Sequence, residues 1–180
     1  MRHFLARIFL FTGLLCFVLL GMLVYQRYRP NPLAFQGAVF TRELSVTYED
    51  LPLSMRVADI DISLPIFPSE VTGNIWQTTE KGVSYLKSTP LPGQKGNAVL
   101  YGHNWPNLLG PLHSIKVGDM ISISYPDNTT VDFKVTYITV VSPDQVKILD
   151  GSNDTRLTVY TCTGFLDSKR LVVTAIATGS

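Results

Sequence analysis

Cysteine is nearly absent from this chain. There are two, Cys16 and Cys162, and Cys16 lies in an apolar run that cannot share a compartment with a folded aqueous domain. A disulfide framework and an all-cysteine metal cluster are therefore excluded. Cys162 is left as either inert packing or a nucleophile. Charge is also sparse: 16% of residues are charged and the formal net charge is +1. No basic face suggests nucleic acid, and no acidic run suggests a solvating tail. Acidic residues do not cluster either. Asp119, Asp127 and Asp132 are scattered through a hairpin pattern as turn and solvent-face residues, so no metal and no other cofactor is expected. Asn128-Thr129-Thr130 and Asn153-Asp154-Thr155 match the glycosylation acceptor pattern, which turn asparagines produce by chance. Beyond residue 30 there is no long amphipathic helical pattern.

What the chain does have is apolar content. With 180 residues, 46% of them hydrophobic, it can bury one sizeable core and carry an additional segment. That segment is N-terminal. Ile8 to Tyr25 contains no charge, and with Phe4-Leu5-Ala6 it approaches the roughly 20 residues that cross a bilayer. The run ends in Tyr25-Gln26-Arg27-Tyr28-Arg29, an interfacial aromatic and basic border, with no Ala-x-Ala-like cleavage site after it. We expect an uncleaved anchor over residues 1–28, spanning about residues 5–25. Arg2 and Arg7 before the run balance Arg27 and Arg29 after it, so charge does not set its orientation. Pro30-Asn31-Pro32 stops any helix, and residues 29–54 read as a spacer leading to a domain at 55–180.

Within the domain the pattern is one of short strands. Met55 to Ile60 and Ile62 to Phe67 come first, the second interrupted by Pro65 as in an edge or bulged strand. Val71 to Gly96 is irregular, with Trp76 and Tyr85 as packing anchors. Gly96 to Tyr101 is a short apolar strand that delivers Gly102-His103 at its end. Pro111 to Ile115 suits one helical turn and Lys116 to Asp119 a tight turn. Met120 to Tyr125 and Val131 to Tyr137 alternate as strands, and Ser142-Pro143-Asp144-Gln145 suits the start of a short helix. Leu157 to Cys162 alternates, with Leu157, Val159 and Thr161 on one side and Thr158, Tyr160 and Cys162 on the other. After Gly164 the run Arg170 to Ala175 returns antiparallel. The expectation is an all-β sandwich or closed barrel, between which periodicity does not choose.

Four residues carry the chemistry. Cys162 ends a strand, and the hairpin brings Arg170 towards it, where a fixed positive charge favours the thiolate. Taken alone, each residue has a plainer reading: a buried structural cysteine, a strand-edge arginine facing water, a loop histidine at 103, and a strand threonine at 161. Thiol catalysis, however, needs a proton donor for a leaving amine, which imidazole supplies near neutral pH. A multi-donor cation suits the oxyanion of a tetrahedral intermediate. The Thr161 hydroxyl is a candidate substrate contact. His3 is a solvated terminal residue, and His113 takes a surface or packing role.

Thr158-Val159-Tyr160-Thr161-Cys162, with Gly102-His103 upstream and Arg170 opening the next strand, resembles the sortase signature, in which a Thr-Leu-x-Thr-Cys segment, an upstream His and a downstream Arg form the active site. The resemblance covers roughly Met55 to Thr178, with Val159 where the family usually carries Leu. It implies a closed β-barrel with Cys162 as nucleophile, His103 as acid and Arg170 holding the substrate and its oxyanion. The implied activity is that of a cysteine transpeptidase, which cleaves a Leu-Pro-x-Thr-Gly-like sorting signal through a thioacyl-enzyme. The implied partners are surface proteins bearing a C-terminal sorting signal and an amine acceptor, a cell-wall precursor or a pilin-like protein. A cytoplasmic N-terminus and an extracellular domain at the cell membrane are implied as well. Two alternatives stand beside it. One is a cysteine peptidase, although papain-like families place Cys before His and start a helix at the Cys. The other is a membrane-tethered, non-catalytic β-domain that binds peptides.

Overall fold

A computed structural model describes residues 2–27, 33–37, 50–72 and 75–179 of the chain. They divide into two units, Met1–Pro32 and Leu33–Ser180. The first contains α1 (Arg2–Arg27). Its Phe4–Tyr25 stretch is long and apolar enough to cross a membrane, and none of it is buried.

The second unit is built of strands: β1 (Ser54–Val57), β2 (Ile62–Ser69), β3 (Val71–Thr72), β4 (Ile75–Trp76), β5 (Val83–Leu86), β6 (Gly96–Gly102), β7 (Met120–Ser124), β8 (Thr130–Val141), β9 (Thr155–Thr163) and β10 (Lys169–Ala177). Eight of them close a barrel in the order β1-β2-β5-β6-β9-β10-β8-β7, with β7 pairing back onto β1, while β3 and β4 form a separate ribbon. Of the two architectures left open by periodicity, the barrel is the one formed. Closure leaves β2 no free edge, and Pro65 is accommodated inside it. Pro65 lies opposite Ser54 of β1, and the parallel pairing of β2 with β5 begins only at Ile66, past the residue that lacks an N–H.

Alternation along the strands sorts side chains into two buried sets. Met55, Ile121, Phe133, Leu157, Val159 and Val173 belong to the cluster that fills the barrel. The opposite faces of β5, β6, β9 and β10 are also covered. Leu86, Val99, Tyr101, Tyr160, Cys162 and Val172 form a second cluster with Trp76, Leu33 and Phe35. Each large apolar side chain fully buried this way contributes about 1.5–3 kcal/mol. The second cluster is rich in rings: Tyr101 stacks on Tyr160 at 5.4 Å, and Trp76 and Phe35 meet them edge-on at 5.4 and 5.0 Å.

Leu33 and Phe35 lie within the stretch expected to be a spacer. They are 0% and 2% exposed, and Leu33–Gly37 is packed on the barrel. The main-chain N–H of Gln36 donates to the Pro143 carbonyl at 2.8 Å. Two apolar side chains two residues apart suffice to bury one face of an extended segment, a length too short for periodicity to register. Residues 29–32 and 38–49 of the expected spacer, and residue 28 at the end of the expected anchor, lie outside the described residues.

Candidate active site

The central strand of the site is β9. It pairs parallel with β6, placing Gly102 opposite Thr161, and antiparallel with β10, placing Arg170 directly opposite Cys162. His103 is the first residue past β6. Three of the four residues singled out for chemistry, His103, Cys162 and Arg170, thus stand at the same end of three adjacent strands, although 59 positions separate His103 from Cys162 in sequence (162 minus 103). Thr161 faces the other way. Strand alternation turns it from the Cys162 side, and its fully buried hydroxyl donates to the Gly102 carbonyl at 2.8 Å, tying the cysteine strand to the histidine strand.

Arg170 is only 4% exposed. Its Nη1 donates to the carbonyls of Asp167 and Lys169 at 2.9 and 2.8 Å, and its Nη2 to the carbonyl of Ala34 at 3.0 Å. Its Nε–H is buried without a partner among the described residues. The turn that offers Asp167 is itself unusual. After Gly164, at φ 79°, Leu166 and Asp167 have φ of 52° and 58°. A bulky residue in the left-handed region costs about 1–2 kcal/mol, so the guanidinium helps hold a strained loop.

Cys162 is 3% exposed. Burial pushes its thiol up to about 12, Arg170 opposing that shift and Asp167 adding to it. Burial likewise lowers His103, against the pull of Glu80 and Asp167. Near pH 7 both groups are therefore neutral in this arrangement, the thiol protonated and the imidazole unprotonated. Because the thiol is raised above its ordinary value of 9.0, its contribution to stability is complete below about pH 9 and is lost as the pH climbs towards 12. A kinetic consequence follows. Alkylation of Cys162 in the folded protein should rise about tenfold per pH unit from pH 7 to 9, tracking the thiolate fraction. A rate already level by pH 8, followed by mass spectrometry, would show a thiol whose pKa lies below its ordinary value of 9.0.

Two neighbours complete the rim. A 3-10 turn at Gly110–Ser114 carries His113, which is exposed. Its ring nitrogens lie 3.0 Å from the Gly110 carbonyl and 3.1 Å from the hydroxyl of Thr163, the residue after Cys162. The surface role expected of His113 thus includes a link between the His103-bearing loop and the end of β9. Trp105 stacks on His103, the ring centroids 4.6 Å apart. Sequence reasoning passed over Trp105; its spacing two residues after the histidine was the available signal.

The family model of the sortase domain matches residues 55–178. The chain belongs to the sortase family. Sortase A of Listeria monocytogenes is 30% identical over 112 residues, covering 61% of this chain and 48% of that protein. Sortase A of Bacillus anthracis is 28% identical over 130 residues, covering 70% and 59%. The chain thus spans about half the length of the curated relatives it matches. Among solved structures, a lid mutant of sortase A from Corynebacterium diphtheriae is similar with a TM-score of 0.63 and 31% identity, over 72% of this chain and 71% of that one. Sortase C-1 from Actinomyces oris is similar with a TM-score of 0.62 and 29% identity, over 71% and 73%. The eight-stranded barrel is the sortase fold, and the expected fold class stands.

Proposed function

We propose that this sortase is a membrane-anchored cysteine transpeptidase, with Cys162 as nucleophile, His103 as proton carrier and Arg170 as the group that holds the scissile carbonyl. The observation that carries this reading is the register of β6, β9 and β10, which brings the ends bearing His103, Cys162 and Arg170 side by side. Attack by Cys162 Sγ on the carbonyl carbon of a Leu-Pro-x-Thr-Gly-like sorting signal passes the thiol proton to His103. The tetrahedral intermediate then collapses, the C–N bond breaks, and His103 returns the proton to the departing amine. A thioester remains. The amine of a cell-wall precursor or a pilin-like protein attacks it, the C–S bond breaks, and the thiol is restored. The unpartnered Nε–H of Arg170 supports its part in this scheme, since a buried donor without an acceptor suits a carbonyl oxygen that becomes an oxyanion. Thr161, expected at the substrate, acts here through the Gly102 carbonyl by holding the two strands in register.

The resting protein is closed. Ala34 accepts from Arg170 and Leu33 accepts from the Tyr160 hydroxyl at 3.1 Å, while their side-chain neighbours fill the cluster that contains Cys162. We read Leu33–Gly37 as a lid, the feature altered in the Corynebacterium diphtheriae relative. A substrate carbonyl then replaces that of Ala34. With α1 in the cell membrane, the domain acts on the extracellular side.

Incubating the full chain in detergent micelles with sorting-signal peptides and amine acceptors tests the reading. A mass increase equal to the acyl fragment on Cys162, followed by an amide product, is expected. Water as the only acceptor would identify a peptidase instead, and an unmodified protein would favour a peptide-binding domain. Arg170→Lys keeps the charge and loses the planar fork, so kcat should fall about tenfold with the thioester still detectable. An unchanged kcat would remove Arg170 from the chemistry.

A further inference from the structure

We infer that Trp105 is a positioning residue for His103, its indole fixing the plane in which the imidazole takes up and delivers protons. This rests on the proton-carrier role proposed for His103. His103 stands just past the end of β6, where strand pairing no longer restrains it, and among the described residues nothing hydrogen-bonds its ring. Its one described ring contact is Trp105, at 4.6 Å between centroids with the planes 14° apart.

The Trp105 main chain is held firmly. Leu108 and Gly110 both donate to its carbonyl at 2.9 Å, and Leu109, fully buried, donates to the His103 carbonyl at 3.1 Å. The turn closes only because residue 110 is glycine, since a Cβ there would lie 2.6 Å from the Trp105 oxygen. Core packing does not explain the side chain, because Trp105 remains 39% exposed. A large ring left half in water and laid flat on another ring gains little from burial and much from orientation. The stack also suits the charge change the reaction requires. An imidazolium over an indole face is favoured electrostatically, as it is by the carboxylates of Glu80 and Asp167, so the face eases proton uptake that burial opposes.

Trp105→Phe and Trp105→Leu, in the full chain in micelles with 13C-labelled histidine, separate stacking from bulk. In wild type and Trp105→Phe the His103 ring protons should be shifted upfield by the neighbouring ring, and in Trp105→Leu that shift should vanish. With a sorting-signal peptide, Trp105→Leu should lower kcat about tenfold with KM within about twofold, and Trp105→Phe should retain kcat within about threefold. Alkylation of Cys162 should be equal in all three. Equal kcat for the Leu and Phe variants would overturn the inference in favour of simple bulk. A rise in KM alone would overturn it in favour of a substrate contact, and unshifted His103 signals in wild type would overturn it outright. If wild type transfers no acyl group, the proposed function fails and the spectroscopic arm decides the stacking role by itself.

Discussion

Replacing Cys162 with Ala abolishes capture of a sorting-signal peptide: no acyl adduct is expected, and amide product should fall by at least about 10³-fold. The size of the effect comes from covalent chemistry. In the proposed mechanism His103 and Arg170 remain to bind and polarise a carbonyl, but without sulfur there would be no thioester to accept an amine. Removing the nucleophile of a catalytic set costs nearly as much as removing the whole set. The substitution is gentle on the fold, because it trims one buried atom from a cluster held by Tyr101, Tyr160 and Val172. Circular dichroism and the melting temperature should therefore change little while activity disappears. Undiminished amide formation in the Ala variant would move the nucleophile elsewhere and with it the whole proposed mechanism.

The site was legible to a different depth at each residue, for physical reasons. Cys162 and Arg170 are neighbours across a hairpin, and hairpin pairing can be inferred from two alternating runs and a turn; the register that sets them opposite one another is local information. His103 is not local. Its arrival beside β9 depends on a parallel β6–β9 pairing that no turn specifies, and only the family resemblance suggested it. The barrel strands with one face to solvent, such as β7 and most of β8, announced themselves by alternation. β5 did not, because Val83 and Tyr85 face the barrel interior while Leu86 faces the outer cluster, so every residue of the strand is buried and no period survives. The same outer cluster hid the burial of Leu33 and Phe35. A segment that is buried on a surface already built by other strands needs only two well-placed side chains, and two side chains make no pattern.

That segment yields the second large effect. Leu33→Ala with Phe35→Ala should accelerate alkylation of Cys162 about 10²-fold at fixed pH. Both side chains are almost fully buried, and each loses a large part of the roughly 1.5–3 kcal/mol that burial supplies. A combined loss of about 3 kcal/mol in the closed state shifts a closed-to-open equilibrium about 10²-fold towards open, and a thiol that reacts only when uncovered follows that population. The pH profile should change in the same variant. Burial is the largest cause of the raised thiol pKa, with Arg170 next and opposing it, so opening removes the first and leaves the second; half-maximal reactivity should move well below pH 12. Tyr160→Phe is an independent check that leaves the cluster's volume intact. It removes only the hydroxyl that donates to the Leu33 carbonyl, a bond worth about 1 kcal/mol, and should speed alkylation about fivefold. Acceleration in both variants at unchanged melting temperature identifies a lid that opens locally. Unaltered rates would mean that Leu33–Gly37 does not govern access to the thiol, and a proportionate drop in melting temperature would mean that it is simply part of the fold.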